Sequence, residues 1–135
     1  MNEFELIRQY FQRPAANTLL GVGDDAALVM PTAGKALAVS SDMLVSGRHF
    51  FADADPYWLG HKALAVNLSD MAAMGARPRW FLLSLALPEV DEGWLEGFSA
   101  GLLSLADAHD VALVGGDTTR CPLNLSIQII REVTA

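Results

Sequence analysis

The feature that most constrains the fold is a nearly continuous apolar run, WFLLSLAL, at residues 80–87, which Pro88 ends. Eight residues are too few to cross a bilayer, so the run has to be buried within protein. Such a run is typical of a strand that is covered on both faces or packed in an interface. The rest of the chain, or a partner, must therefore supply enough apolar surface to cover it.

Periodicity on either side of this run predicts the covering elements. Three segments are predicted helices. The first covers residues 3–12, and the second runs from Asp55-Pro56 to Gly75. The third begins after the cap Asp91 and has a buried stripe of Trp94, Leu95, Phe98, Leu102 and Leu105. Predicted strands lie at residues 35–45, 80–87, 111–114 and 123–129, and the first of them is expected to stop at the Ser40-Ser41-Asp42 step. This order of elements predicts an α/β class with a mixed sheet.

Composition and charge exclude several classes of function. The 135 residues are 52% hydrophobic and carry a net charge of −7, which argues against a protein that neutralises nucleic-acid phosphates with its own cations. Glu3 and Glu5 stand where a secretory signal would carry positive charge, and no apolar stretch is long enough to span a bilayer. We therefore expect a cytoplasmic protein with neither a nucleic-acid nor a membrane partner.

Aspartates with a shared setting point to a metal site. Asp24-Asp25, Asp42, Asp70 and Asp117 each come at the end of an apolar segment, beside Gly, Ser or Asn. Two carboxylates that converge to about 4 Å repel by roughly 4 kcal/mol at an effective dielectric near 20, so their convergence requires a cation. Mg²⁺ takes oxygen ligands and is commonly held by carboxylates together with substrate phosphates. Any one aspartate alone is better explained as a helix cap or turn former, but the joint pattern favours a metal.

Neighbouring residues would complete such a site. Ser40 and Ser41 add hydroxyl and carbonyl oxygens beside Asp42, and Gly116 would let the backbone approach a phosphate closely beside Asp117.

Other motifs are less informative. Residues 21–26, GVGDDA, match a relaxed dinucleotide fingerprint, but Pro31 leaves no room for the helix that this fingerprint requires, and the sequence contains no P-loop. His49 is either a surface-loop residue or a substrate contact. Cys121 is predicted to pack rather than to react, because no cationic helix start or histidine is adjacent in sequence.

Four segments, taken in order, resemble a known family. They are GDDAALVM at 23–30, SDMLVSGRHFF at 41–51, KALAVNLSDMAAMGA at 62–76 and GGDTTR at 115–120. Together they closely resemble the N-terminal domain of the bacterial thiamine-monophosphate kinases, which belong with the aminoimidazole ribonucleotide synthetase-like ATP-binding proteins. The resemblance covers nearly the whole chain.

The resemblance implies an α+β fold with a mixed sheet of about four strands, helices on one face, and a homodimer in which two such sheets pair as a barrel. It implies ATP-dependent phosphorylation of thiamine monophosphate to thiamine diphosphate with several Mg²⁺ ions. By position, the implied metal ligands are Asp25, Ser40, Ser41, Asp42, Asp70 and Asp117. Gly116 and Asp117 are the implied ATP contacts and His49 the implied substrate contact. No general base is implied, since the phosphate of thiamine monophosphate can itself be the nucleophile.

Family members continue into a second α/β domain, whereas this sequence ends at Ala135. Residues 1–135 are therefore expected to form a single N-terminal ATP- and Mg²⁺-binding domain, without the C-terminal domain and with poor kinase activity of its own. Two alternatives stay open: a non-catalytic dimerisation module, and another enzyme of the same superfamily. A selenophosphate synthetase would require a reactive Cys or selenocysteine near the N-terminus, but the single Cys is at position 121.

Overall fold

Three helices and six strands make up the part of the chain that the computed structural model describes, which is residues 2–15, 18–22, 26–72 and 76–134, without the side chains of residues 20 and 70–72. In chain order they are α1 Glu3–Tyr10, β1 Thr18–Leu20, β2 Leu28–Val29, β3 Lys35–Val45, α2 Pro56–Ala72, β4 Arg77–Leu87, α3 Glu92–Ala108, β5 Ala112–Arg120 and β6 Asn124–Thr134.

The four long strands form one sheet in the order β3-β6-β4-β5, and β1 pairs with β2 separately. β6 is antiparallel to both of its neighbours, β3 and β4, whereas β4 and β5 are parallel and are joined by the crossover helix α3. The prediction of a mixed sheet of about four strands is confirmed. β3 and β5 are its two edge strands.

The alternation predicted for the last strand decides which face of the sheet is the core. Leu125, Ile127 and Ile129 are buried and belong to one hydrophobic cluster with residues of α2 and α3, such as Leu64 and Phe98. Both long helices therefore pack on one face. Within the apolar run, the adjacent residues Trp80 and Phe81 are both fully buried although they point to opposite faces, which confirms that this strand is covered on both sides there.

The helices approach each other closely because glycines lie where they cross. A Cβ at Gly60 would overlap the backbone of Phe98, and one at Gly101 would overlap the carbonyl of Tyr57.

The cap of α3 is as predicted, since the Asp91 carboxylate accepts a hydrogen bond from the Trp94 N–H at 3.0 Å.

Two predicted strand ends are wrong. β3 does not stop at Ser40-Ser41-Asp42, because it pairs with β6 residue by residue from Lys35 opposite Thr134 to Val45 opposite Asn124. β5 likewise continues through Gly115–Arg120 as it pairs with β4. In both cases the backbone ladder of a long neighbour outweighs the weak strand propensity of Ser, Asp and Gly.

A buried carboxylate fixes the turn that leads into β3. Glu132 of β6 accepts hydrogen bonds from the backbone N–H and the hydroxyl of Thr32, the latter at 3.0 Å, and lies 3.6 Å from the Arg79 Nε. These bonds, the backbone bond from Thr32 first, lower the pKa of Glu132.

We predict that Glu132→Gln lowers the free energy of unfolding at neutral pH. A carboxyl whose pKa is lower in the folded state stabilises the fold above its unfolded pKa, roughly 4.3, and this stabilisation is lost as the pH falls through the folded pKa. Urea denaturation at pH 7 and at acidic pH measures the effect. The difference between wild type and variant should shrink in acid, and a difference that does not change with pH would contradict this role.

Candidate functional site

The register of β3 puts the predicted metal ligands on both faces of the sheet. Ser40 and Asp42 lie opposite Ile129 and Ile127, so they point to the face that carries the helices. Ser41 points to the other face, where its Oγ lies 3.4 Å from the Ser126 Oγ. Ser40 and Asp42 are both exposed, whereas Leu44, the next residue of β3 on the same face, is buried in the core. The two oxygen donors on the helix face are therefore open to a ligand.

Sequence reasoning missed a buried cation beside these residues. Arg131 is only 6% exposed, and its Nη2 donates a hydrogen bond to the Ser40 Oγ at 3.1 Å. Among the residues that the structure describes, its buried Nε has no hydrogen-bond partner and Arg131 forms no ion pair. A buried guanidinium leaves a positive charge beside Ser40 that a nearby anionic group would balance. The sequence does carry a signal for Arg131, because its charge stands at a position where the alternation of β6 predicts a buried side chain.

The other predicted ligand and ATP contacts lie on β5. The pairing of β4 with β5 is irregular between Phe81 and Leu82, and just after it Gly116 has φ +137°. A Cβ at Gly116 would overlap the backbone of Leu83, so only glycine fits here. Asp117 follows and is exposed. Bulged strands and backbone glycines commonly mark places where a strand admits a ligand.

A cavity of about 640 Å³ adjoins this part of β5. It lies between α1 and β5, and its walls include Phe4, Ile7, Phe11, Leu83, Leu113 and residues 115–118. Its size is in the usual range for small-molecule sites.

His49 lies in the turn after β3 and is exposed. Its Nδ1 accepts a hydrogen bond from the Val45 N–H at 2.9 Å, and its carbonyl oxygen accepts one from the Lys62 Nζ at 3.1 Å. With Nδ1 occupied, Nε2 is the ring atom that can meet a ligand. Both earlier interpretations of His49, surface loop and substrate contact, are compatible with this placement.

The predicted ligands do not all meet within one copy of the described chain. Asp42 on β3 and Asp117 on β5 lie on opposite edges of the sheet, which are three strand spacings or about 14 Å apart. The structure describes neither Asp25 nor the side chain of Asp70. In the remainder, no three His, Cys, Asp or Glu side chains gather as a metal site. A single metal site formed by all the predicted ligands therefore stays a prediction.

The structure contradicts two predictions from the sequence. The prediction that Asp42 and Asp117 end their strands is wrong, since both lie inside strands that continue past them. Cys121 was expected to pack, but it is exposed in the turn after β5. No helix among the described residues is both long and apolar enough to cross a membrane.

Residues 23–133 match the family described as AIR synthase related protein, N-terminal domain. The chain belongs to this family.

Among individual proteins, its similarity is to thiamine-monophosphate kinases, which confirms the resemblance seen in the sequence. The chain is 53% identical over 130 residues to the thiamine-monophosphate kinase of Escherichia coli K12, covering 94% of the chain and 40% of that protein. The crystal structure of the enzyme from Stenotrophomonas maltophilia is 50% identical, with a TM-score of 0.82, and covers 96% of this chain and 40% of that one.

A second similar structure carries ligands. AaThiL complexed with AMPPCP and TMP is 31% identical, with a TM-score of 0.72, over 78% of this chain and 35% of that one. The chain thus spans about two fifths of the length of the curated relatives it matches.

We predict that Gly116→Ala destabilises the domain by about 3 kcal/mol or more, because the methyl group adds overpacking to an unfavourable positive φ. Gly34→Ala is the matched control. Gly34 also has a positive φ, +80°, but no atom lies within 4 Å of its Cβ position, so the backbone cost of about 1–2 kcal/mol should stand alone. Urea denaturation compares them, and equal losses would contradict the close approach of β5 to β4.

Proposed function

We propose that this chain is the ATP- and Mg²⁺-binding part of a kinase that transfers the γ-phosphoryl group of ATP to thiamine monophosphate, giving thiamine diphosphate. The observation that carries the proposal is the conformation of Gly116 beside the exposed Asp117 on the wall of a cavity. It is supported by the names of the relatives and by the ATP analogue in a similar structure. The relatives are much longer than the matched region, and we propose that turnover also needs their remaining part.

The donor set on β3 fits a hard divalent cation. Ser40 and Asp42 present a hydroxyl and a carboxylate two residues apart on the same face of an edge strand, and such oxygen donors are the ligands that Mg²⁺ prefers. Bound Mg²⁺ would neutralise the negative charge of the phosphates. Phosphoryl transfer requires little covalent chemistry from the protein, and most of the rate enhancement comes from positioning and electrostatic stabilisation.

Several residues of the chain would share the positioning of ATP and the acceptor. Arg131 holds the Ser40 hydroxyl in place and puts a buried positive charge beside the donors of β3. The Gly116 conformation sets the path of β5 along the cavity, and Asp117 supplies a carboxylate there. His49 would contact the acceptor substrate through its Nε2. The acceptor's own phosphate would be the nucleophile, so these residues need not supply a base.

A second copy of the chain would cover the open face of β3. Leu37, Val39 and Met43 point away from the helices and are exposed, Val39 by 65%. We propose that two such sheets pair as a barrel in a homodimer. Closing a barrel joins the edge strands of one sheet to those of the other. A closure that brings β3 beside the partner's β5 would place Asp117 on the Ser41 side of β3, because Asp117 pairs with Ser84, which in turn pairs with Ser126.

Nucleotide binding tests the proposal directly. Calorimetric titration of the 135-residue chain with ATP should show binding that requires Mg²⁺, and Asp42→Asn and Asp117→Asn should each weaken it at least about tenfold, since even indirect partners of a metal commonly contribute that much. Asp53→Asn is the control, because Asp53 is an exposed loop carboxylate that belongs to neither edge strand. Binding without Mg²⁺, or equal binding by all three variants, would refute the assignment.

Sedimentation tests the homodimer. Val39→Lys puts a charge into the proposed interface and should shift the chain towards monomer, whereas Val90→Lys should not, because Val90 is exposed but lies outside the sheet. A monomeric wild type would refute the barrel. A dimer that binds no Mg²⁺–ATP would favour the alternative function, a non-catalytic dimerisation module.

A further inference from the structure

Arg131 is a buried cation whose charge the described part of the fold does not neutralise. Among the described residues it forms no ion pair, and its buried Nε has no hydrogen-bond partner. The next residue, Glu132, points to the opposite face of the sheet, where it lies 3.6 Å from the Arg79 Nε. A buried guanidinium without a carboxylate partner does not stabilise a fold. Packing therefore does not explain why an arginine stands at this position.

Arg131 lies on the same face of the sheet as the proposed metal ligands of β3. It pairs with Ala38, so strand alternation puts its side chain on the face of Ser40 and Asp42. Its Nη2 donates a hydrogen bond to the Ser40 Oγ at 3.1 Å. This bond uses one of the two lone pairs of the hydroxyl oxygen. A metal ion on the remaining lone pair would share that oxygen with a positive charge.

The charge of Arg131 acts in opposite directions on free Mg²⁺ and on Mg²⁺–ATP. Free Mg²⁺ is repelled at short range, and burial strengthens the repulsion because the dielectric constant is low. Mg²⁺–ATP is an anion as a whole, so it is attracted. Asp42 is the one carboxylate of β3, and the guanidinium offsets its charge. The described groups at Ser40 and Asp42 thus have no net negative charge with which to hold a free dication.

From this arrangement we propose that Arg131 is a positioning residue that sets the selectivity of the β3 donors, which reject free Mg²⁺ and accept it as a complex with a polyphosphate anion. The nucleotide then brings the metal to the site and does not meet a metal already bound there. The inference rests on the proposed function, because it concerns the same donors, Ser40 and Asp42.

The test compares two probes on the 135-residue chain, Mn²⁺ alone by electron paramagnetic resonance and Mg²⁺–ATP by calorimetry. Arg131→Gln removes the charge but keeps a side-chain N–H donor. It should bind Mn²⁺ alone at least about tenfold more tightly and Mg²⁺–ATP at least about threefold more weakly, because the lost charge lies close to the metal ligands. Arg131→Lys keeps the charge and should behave as the wild type with both probes.

Arg77→Gln is the matched control. It removes one positive charge from an exposed arginine of β4 whose ion-pair partner is Asp110, and an exposed pair contributes little. Both affinities should stay close to those of the wild type. Urea denaturation checks that Arg131→Gln is folded, and Arg131→Met, which is neutral and apolar, is the second variant for the case that it is not.

Opposite shifts for the two probes distinguish selectivity from a merely structural role, which would weaken both. If removal of the Arg131 charge leaves Mn²⁺ binding unchanged or weaker, or tightens Mg²⁺–ATP binding, the selectivity is wrong while the proposed function stands. The same shifts in Arg77→Gln would assign them to net charge and would also overturn it. A wild type that binds neither probe would refute the proposed function together with the selectivity.

Discussion

The pairing of β6 with β3 and β4 is the interaction on which the rest of the structure depends. β6 is hydrogen-bonded to β3 along all eleven residues, and to β4 over most of its length. This register directs Leu125, Ile127 and Ile129 towards the helices, and it directs Ser40 and Asp42 to the same face. A slip of one residue would send each of these side chains to the opposite face. The ladder that builds the core therefore also orients the proposed metal ligands.

The two edges of the sheet are where the chain departs from ordinary packing. On β3, polar donors and exposed apolar residues alternate, so one face can hold a cation while the other can meet a second sheet. On β5, the pairing is irregular, the Gly116 backbone lies against β4, and the next residue, Asp117, is exposed. The acidic character of the chain, −7 overall, is consistent with a protein that needs a divalent cation to hold a phosphorylated ligand. Its proposed metal and nucleotide ligands lie on the two edge strands, and its core lies between the sheet and two helices.

Sequence reasoning predicted the parts that local patterns determine. The cap at Asp91, the alternation in β6 and the burial of the apolar run all follow from periodicity and capping, and the structure confirms them. Strand ends at Asp42 and Asp117 were wrong because the pairing of a whole ladder is a long-range effect, which propensity within a short window does not capture. Arg131 was missed for a related reason, since its partner Ser40 is 91 residues away in the sequence. The exposure of Cys121 depends on where the turn after β5 falls.

The central claim is that Mg²⁺–nucleotide binds at the edge strands β3 and β5, and paramagnetic broadening by Mn²⁺ in the presence of ATP tests it most directly. On the ¹⁵N-labelled chain, the amide signals of residues 40–42 and 116–117 should broaden first, only when ATP is present, and should sharpen again with excess Mg²⁺. Broadening that follows scattered surface carboxylates such as Glu89 and Asp91, while residues 40–42 and 116–117 stay sharp, would contradict the account.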